Sequence, residues 1–527
     1  MSTHTRSSSS LSTSVKTHTG KDLTLPTGLF INNEFVPSLS GKTFATVDPS
    51  TGEPIAEVAE ADKEDVDRAV DAAEEALKGW QMLPAATRGK LLWTLSDLID
   101  KHTDSLAALE SLDNGKPLRD AIDDVRGVAD VFRYYAGWAD KIGGQVLDYD
   151  PALHAYTRVE PVGVVGQIIP WNYPLPMLAW KVAPALACGN TVVLKTSEKT
   201  PLSALKLCSL LPLASIPPGV VNILSGGAST GSHIALHPRI RKIAFTGSTA
   251  VGRKIMKMAA DSNLKKVTLE LGGKSPNIVF DDADLDGAVA ACFGGVYDNV
   301  GQNCCAGSRI FVQSGVYEEF TRRFVEKLSQ TVVGPPTDPT TTHGPVIDSL
   351  QLSSITSFIS LGQTHGATLA YGGTRLGTRG YFIQPTLFTN VTPEMQIYTQ
   401  EIFGPVACLV RFETEEEVLG MANGTEYGLA AAVHTTDLDR ATRMARGVQA
   451  GVVWVNCYNL TPPQMPFGGY KQSGIGRELG EAAIREYTRE FCVSHIPLAA
   501  RRYFFKTDFM GFDGLIETKS VIMRMRV

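Results

Sequence analysis

Apolar residues recur along this chain with two different periods, and the switches between them outline the fold. From Asp62 the positions Val66, Ala69, Val70, Ala73 and Leu77 fall at i, i+3, i+4 spacing, with acids early in the segment, which predicts an amphipathic helix; residues 87–98 repeat the pattern. Between Pro161 and Phe280 short apolar, β-branched runs at 162–169, 191–194, 220–224, 242–245 and 267–271 alternate with helical stretches. That alternation predicts a parallel sheet with helices on its faces. A second series starts near Asp284, with a helix over 285–297, a strand over 309–312 and a helix over 316–328, and runs on to Val455. The fold class is therefore α/β, built as two units of similar size.

Length agrees, since 527 residues are too many for one ordinary core and suit about three structural units. With 49 basic against 55 acidic side chains, the net charge of −6 supplies no general attraction to nucleic acid or to an anionic membrane, so a small soluble substrate is expected. No apolar run has the length of a membrane span. Eight cysteines are scattered singly apart from Cys304 and Cys305, without a CxxC pair, which points to a reducing compartment. His233 and His237 stand at helical spacing but lack an HExxH frame, and no metal is expected. Residues 1–28 read as a disordered tail; the Ser/Thr-rich start also loosely suits a mitochondrial transit peptide, the alternative to a cytoplasmic location.

Four stretches carry candidate chemistry. KIAFTGSTAVG, from Lys242, runs a strand into a Gly-x4-Gly turn opening a helix, where a pyrophosphate can meet free backbone N–H groups. Arg253 and Lys254 stand where a P-loop needs lysine and then serine or threonine, so phosphoryl transfer is disfavoured, and the ordinary GxGxxG fingerprint is absent. A nearby strand ends in Lys195-Thr196-Ser197-Glu198, offering an acid that can accept from ribose hydroxyls and repel a 2′-phosphate; a solvated charged loop is the plainer reading. VTLELGGKSP puts Glu270 in an otherwise apolar strand, where a carboxylate is expensive without a task, making it a general-base candidate unless it faces solvent or Lys274. In YDNVGQNCCAGSR, Gly301 and Gly307 bracket a cysteine pair beyond a helix, where a thiol can be reactive or simply buried filler.

PWNYPLPMLAWK from Pro170, LELGGKSPNIV from Leu269, GQNCCAGSR from Gly301, EIFGPV from Glu401 and PFGGYKQSGIGRELG from Pro466 resemble, in order, the motifs of the aldehyde dehydrogenase superfamily, over roughly residues 29–488. The resemblance implies a Rossmann-like cofactor domain over 29–142 and 162–272, a catalytic domain over 273–472, and a small β oligomerisation region over 143–161 and 473–527. It implies that Cys304, not Cys305, attacks an aldehyde while Asn172 and the Cys304 backbone N–H hold the oxyanion. Hydride passes to NAD, and Glu270 activates water against the resulting thioester. Lys181 and Glu478 then fall on a proton path behind Glu270. Ile168, Trp171, Lys195, Glu198, Gly247, Ser248 and Gly252 would surround adenosine and pyrophosphate, with Glu401 and Phe403 at the nicotinamide ribose. Ala250 departs from a glutamate common in the family.

By position the substrate channel would involve Tyr173, Met177, Trp180, Asp298, Asn303, Cys305, Leu460, Thr461 and Phe467. Asp298 stands where the family often has a bulky apolar residue, which suits a more polar aldehyde or, equally, a solvent-facing carboxylate. The implied partners are an aldehyde and further copies of the chain, as a homodimer or homotetramer. A catalytically silent structural member of the fold is the alternative, against which intact Cys304, Glu270 and Asn172 argue. At the far end, Glu517–Met525 resembles the family's closing strand, and residues 489–516 read as an aromatic-rich insert without family counterpart.

Overall fold

The computed structural model describes residues 11–150 and 153–495. The first apolar series folds into an eight-stranded sheet ordered Gly474–Ile475, Lys266–Glu270, Lys242–Thr246, Val164–Ile168, Thr191–Lys195, Val221–Leu224, Leu29–Ile31, Glu34–Val36. The five central strands are parallel. Four of them, Val164–Ile168, Thr191–Lys195, Val221–Leu224 and Lys242–Thr246, are buried along their whole length, which explains why they read as unbroken apolar runs rather than alternating ones. The expected helix at Asp62 is Lys63–Met82, with Val66, Ala69, Val70 and Ala73 fully buried. Asp62 caps it, and Asp65 closes the reciprocal capping box.

The chain passes from Val164–Ile168 to Thr191–Lys195 on one side, then returns to lay Lys242–Thr246 on the other. The carboxyl end of Val164–Ile168 is thus a topological switch point, where open parallel sheets leave a crevice for ligands. Ile168 pairs with Lys195 and Phe245, and Thr246 pairs with Glu270, so all these residues lie along one rim.

Only residues 271–275 separate Lys266–Glu270 from Pro276–Val279, a central strand of a second sheet. That sheet runs Thr368–Tyr371, Thr386–Thr389, Val406–Phe412, Arg309–Gln313, Pro276–Val279, Ala430–His434, Val452–Val455, and is parallel except for its first strand. Cys304 lies shortly before Arg309–Gln313 and Glu401 shortly before Val406–Phe412. The amino-terminal rim of the second sheet therefore meets the carboxyl rim of the first.

Two expectations are corrected. The disordered tail expected over 1–28 is, from Ser12, an antiparallel hairpin of Ser12–Lys16 and Asp22–Pro26; residues 1–10 lie outside the described residues. Val15, Leu23 and Leu25 alternate with polar neighbours and pack onto Leu109, Leu112, Leu202 and Leu205, which supplies the burial that a tail lacks. Truncating fully buried Leu25 to alanine is expected to destabilise the protein by about 2–5 kcal/mol, the range for leucine-to-alanine cavities. A lowered denaturant midpoint checks this. The insert expected over 489–516 also starts later, because Thr488–His495 is a strand of a three-stranded sheet with Leu153–Pro161 and Val146–Asp150. Phe491 and Val493 alternate there with polar residues, which suits an exposed sheet face. Residues 496–527, with the closing strand expected at 517–525, lie outside the described residues.

Candidate active site

Asn172 sits in the loop between Val164–Ile168 and the helix Pro174–Ala187, buried, with its side-chain Nδ2 donating to the Gln302 carbonyl at 3.0 Å. One amide proton is used there, which leaves the second for another acceptor. Gln302 opens the turn that carries Cys304, so this bond ties the PWN loop to the cysteine loop. The approach to that turn is strained: Asn299, Val300 and Gly301 all have left-handed backbones, at φ 51°, 57° and 69°. A side chain at 301 would strike the Gly404 carbonyl, which makes glycine obligatory there.

The two cysteines are not equivalent. Cys305 is buried, its carbonyl accepts from the Tyr458 hydroxyl at 2.7 Å, and its sulfur lies 3.2 Å from Asn303 Oδ1. Cys304 is only partly buried, and its backbone N–H has no acceptor among the described residues. The thiol of Cys304 is held well above its ordinary value by the Cys305 thiol beside it and by burial, so the resting group is neutral.

Glu270 ends its strand buried, with both carboxyl oxygens lacking a hydrogen-bond partner among the described residues. Burial, and then the negative charge of Glu478, push its carboxyl far above the usual range; Lys181 and Arg477 pull the other way, and Cys304 is close enough to add to the rise. Gly468 leaves it room, since a Cβ there would come within 2.8 Å of Oε1. Behind it, Lys181 pairs with Glu478 and donates to Thr246 Oγ1 at 2.6 Å, all three buried. Lys274, the alternative partner for Glu270, is instead buried near Glu401 and Arg309.

At the switch point, Ser248 caps Thr249–Ser262, whose first backbone N–H groups have no helical acceptor and suit an anion. Gly247 and Gly252 are required by packing, because a Cβ would meet the Phe245 ring at 2.5 Å and Leu271 at 2.6 Å. Lys195 Nζ is occupied by the carbonyls of Gly226 and Thr196 at 2.5 and 2.8 Å, leaving Glu198 half exposed beside it with only a long ion pair of 3.6 Å. Glu198 borders a cleft of about 300 Å3 shared with Glu60, Lys199, Gly227 and Asp348. Glu401 accepts from the Gly273 N–H at 3.1 Å, and burial pushes its carboxyl up to about 7. Phe403, at φ 55°, sets its ring edge-on to Trp171 at 5.2 Å. An anion-binding helix start, a half-exposed carboxylate just beyond the sheet rim and an aromatic wall fit a dinucleotide.

Tyr173, Met177, Trp180, Cys305 and Phe467 pack in one cluster with Cys304, Trp180 and Phe467 meeting at 5.2 Å. Asn303 joins them through Asn459 at 3.3 Å. Asp298 accepts from Asn459 at 3.1 Å and is accessible, yet crowded enough that burial pushes its carboxyl up to about 6. Leu460 does not join the cluster: its side chain is exposed, and its carbonyl is engaged by Trp454. Thr461 is half-buried next to it. Sequence reasoning missed Asn459, Tyr458 and Asn299, the polar groups that orient the cysteine loop. The left-handed run at Asn299 was foreshadowed only by the Asn-Val-Gly string.

The aldehyde dehydrogenase family model matches residues 35–492, which reaches into the strand Thr488–His495. The chain belongs to the aldehyde dehydrogenase family. An aldehyde dehydrogenase of Alternaria alternata is 54% identical over 487 residues, covering 92% of this chain and 98% of the relative. Human retinal dehydrogenase 2 is 54% identical over 467 residues, covering 88% and 90%. Among solved structures, the NAD+ complex of a Bacillus cereus aldehyde dehydrogenase superposes with a TM-score of 0.88 at 47% identity, covering 89% of this chain and 96% of that one. Membership of the family accounts for both sheets meeting rim to rim over Cys304.

Proposed function

We propose that this chain oxidises an aldehyde to a carboxylic acid, with NAD as oxidant and water as acyl acceptor. The observation that carries the reading is the buried, unpartnered carboxyl of Glu270 beside the accessible thiol of Cys304. A carboxyl group held dry without partners costs stability in either protonation state, and activating a water is the task that accounts for it.

In this reading the neutral Cys304 thiol gives its proton to solvent as Sγ bonds to the aldehyde carbon, while the free Asn172 amide proton and the Cys304 N–H hold the developing oxyanion. Bound NAD would supply the hydride acceptor for this carbon. Collapse of the oxyanion makes a thioester on Cys304. Glu270 then takes a proton from water as its oxygen attacks, the C–S bond breaks, and the carboxylic acid departs. Lys181 and Glu478, paired with each other behind Glu270, are the candidates for passing its proton onward. Glu198, the Ser248 turn and Glu401 would hold the cofactor, and Glu198 repels a 2′-phosphate, which favours NAD over NADP.

The test is a panel of aliphatic, aromatic and amino aldehydes with the purified protein. One NADH and one carboxylic acid are expected per aldehyde consumed, with NADP a poorer oxidant. Absence of NADH formation across the panel refutes the reading, and an acyl product other than the free acid refutes the role of water.

A further inference from the structure

A buried cation stands behind the oxyanion donor. Lys116 follows Gly115, the left-handed residue (φ 88°) that ends the helix Thr103–Asn114, and its side chain is almost wholly enclosed. Its Nζ lies 2.5 Å from Asp124 Oδ2 and 3.9 Å from Glu110 Oε1. The same Nζ is 3.3 Å from the backbone carbonyl of Asn172 and 4.4 Å from the centre of the Tyr173 ring. One charge thus links an acid pair on two helices to two consecutive residues of the PWN loop.

The grip is wider than one bond. Asn114 Nδ2 donates to the carbonyls of Trp171 at 2.8 Å and Asn172 at 3.3 Å, and Glu110 Oε1 accepts from the Leu175 N–H at 3.2 Å. From the opposite side Asn299 Nδ2 donates to the Asn172 carbonyl at 2.9 Å. This carbonyl accordingly receives Asn114, Lys116 and Asn299 together, which fixes its peptide plane and with it the direction of the side-chain amide. Stability is a poor reason for such a device, because a buried ion pair is often no better than apolar residues of the same volume. Orientation is a better one: a donor misplaced by an ångström loses most of its value to a developing oxyanion.

We propose that Lys116, held by Asp124, is a positioning residue that aims the Asn172 amide at the substrate oxygen. The proposal rests on the reading of Asn172 as oxyanion donor. A double-mutant cycle on acylation separates the two. Asn172→Ala is expected to slow the NADH burst by about 10²–10³-fold, the usual loss for one such donor. Lys116→Met, which keeps length and removes the charge, is expected to slow it about tenfold or more in wild type and less than about twofold in the Asn172→Ala background. The affinity for NAD should not move in either variant, whereas a fold-wide disturbance would move it. Asp124→Asn, of unchanged volume, should reproduce the non-additivity with a smaller loss, and it substitutes if Lys116→Met does not fold. Additive losses, or an unchanged burst in a folded variant, overturn the positioning role. An unchanged burst in Asn172→Ala instead sinks the oxyanion role itself.

Discussion

Replacing Cys304 with alanine is expected to abolish aldehyde-dependent NADH formation while leaving NAD affinity and Cys305 intact. The loss should exceed about 10⁴-fold, because a residue forming the covalent intermediate has no substitute and triad-type knockouts fall in that range or beyond. Cys305 cannot stand in. Its sulfur is buried against Asn303, and Tyr458 fixes its carbonyl, so reaching the channel requires breaking the turn. Steady-state turnover of Cys304→Ala beside Cys305→Ala reads this directly. Near-wild-type turnover in Cys304→Ala removes the nucleophile from the mechanism, and equal losses in both variants remove the distinction between the neighbours.

Glu270→Gln has a different signature. The variant should still release a burst of about one NADH per site, then turn over about 10²–10⁴-fold more slowly, as the loss of a general base predicts. A lost burst together with the slowed steady state would instead assign Glu270 to acylation. The pH dependence has a definite sign. The Glu270 carboxyl is pushed up by burial and by Glu478, so it is protonated at a pH where an ordinary glutamate is charged. Only the ionised form takes a proton from water; deacylation therefore rises with pH through this raised value and levels off above it. The glutamine variant should lack that limb. Linkage adds a second readout: above the ordinary glutamate value, 4.5, the folded protein retains a proton that the unfolded chain releases. Wild type accordingly loses stability relative to Glu270→Gln as pH climbs.

The sheets were legible because burial on both faces of a parallel strand writes an uninterrupted apolar run, as at Thr191–Lys195 and Val221–Leu224. The helix Leu285–Tyr297 coincides with its expected bounds for a similar reason, an apolar stretch behind an acidic start. The hairpin Ser12–Lys16 and Asp22–Pro26 was not legible. Serine and threonine are frequent in it, only Val15, Leu23 and Leu25 mark the buried face, and the surface that receives them lies on two helices far along the chain. Cys304, Glu270 and Asn172 stood out through family motifs, with Glu270 also marked by its cost in an apolar strand. Lys116 had no such mark. A lysine after an Asn-Gly turn looks solvated, and only the fold shows that its ammonium is enclosed against Asp124 and the Asn172 carbonyl. Asp298 stays between its two readings in the folded chain as well, accessible but crowded.

The helix Thr103–Asn114 has two employers. Leu109 and Leu112 sit under the N-terminal hairpin, while Glu110 and Asn114 hold the loop that bears Asn172. A proteolytic nick in the turn at residues 17–21 would strip the cover from the leucine side and slacken the other. Damage at the rim of the molecule would then surface as an oxyanion met late and at the wrong angle, with every group that touches the aldehyde still in place.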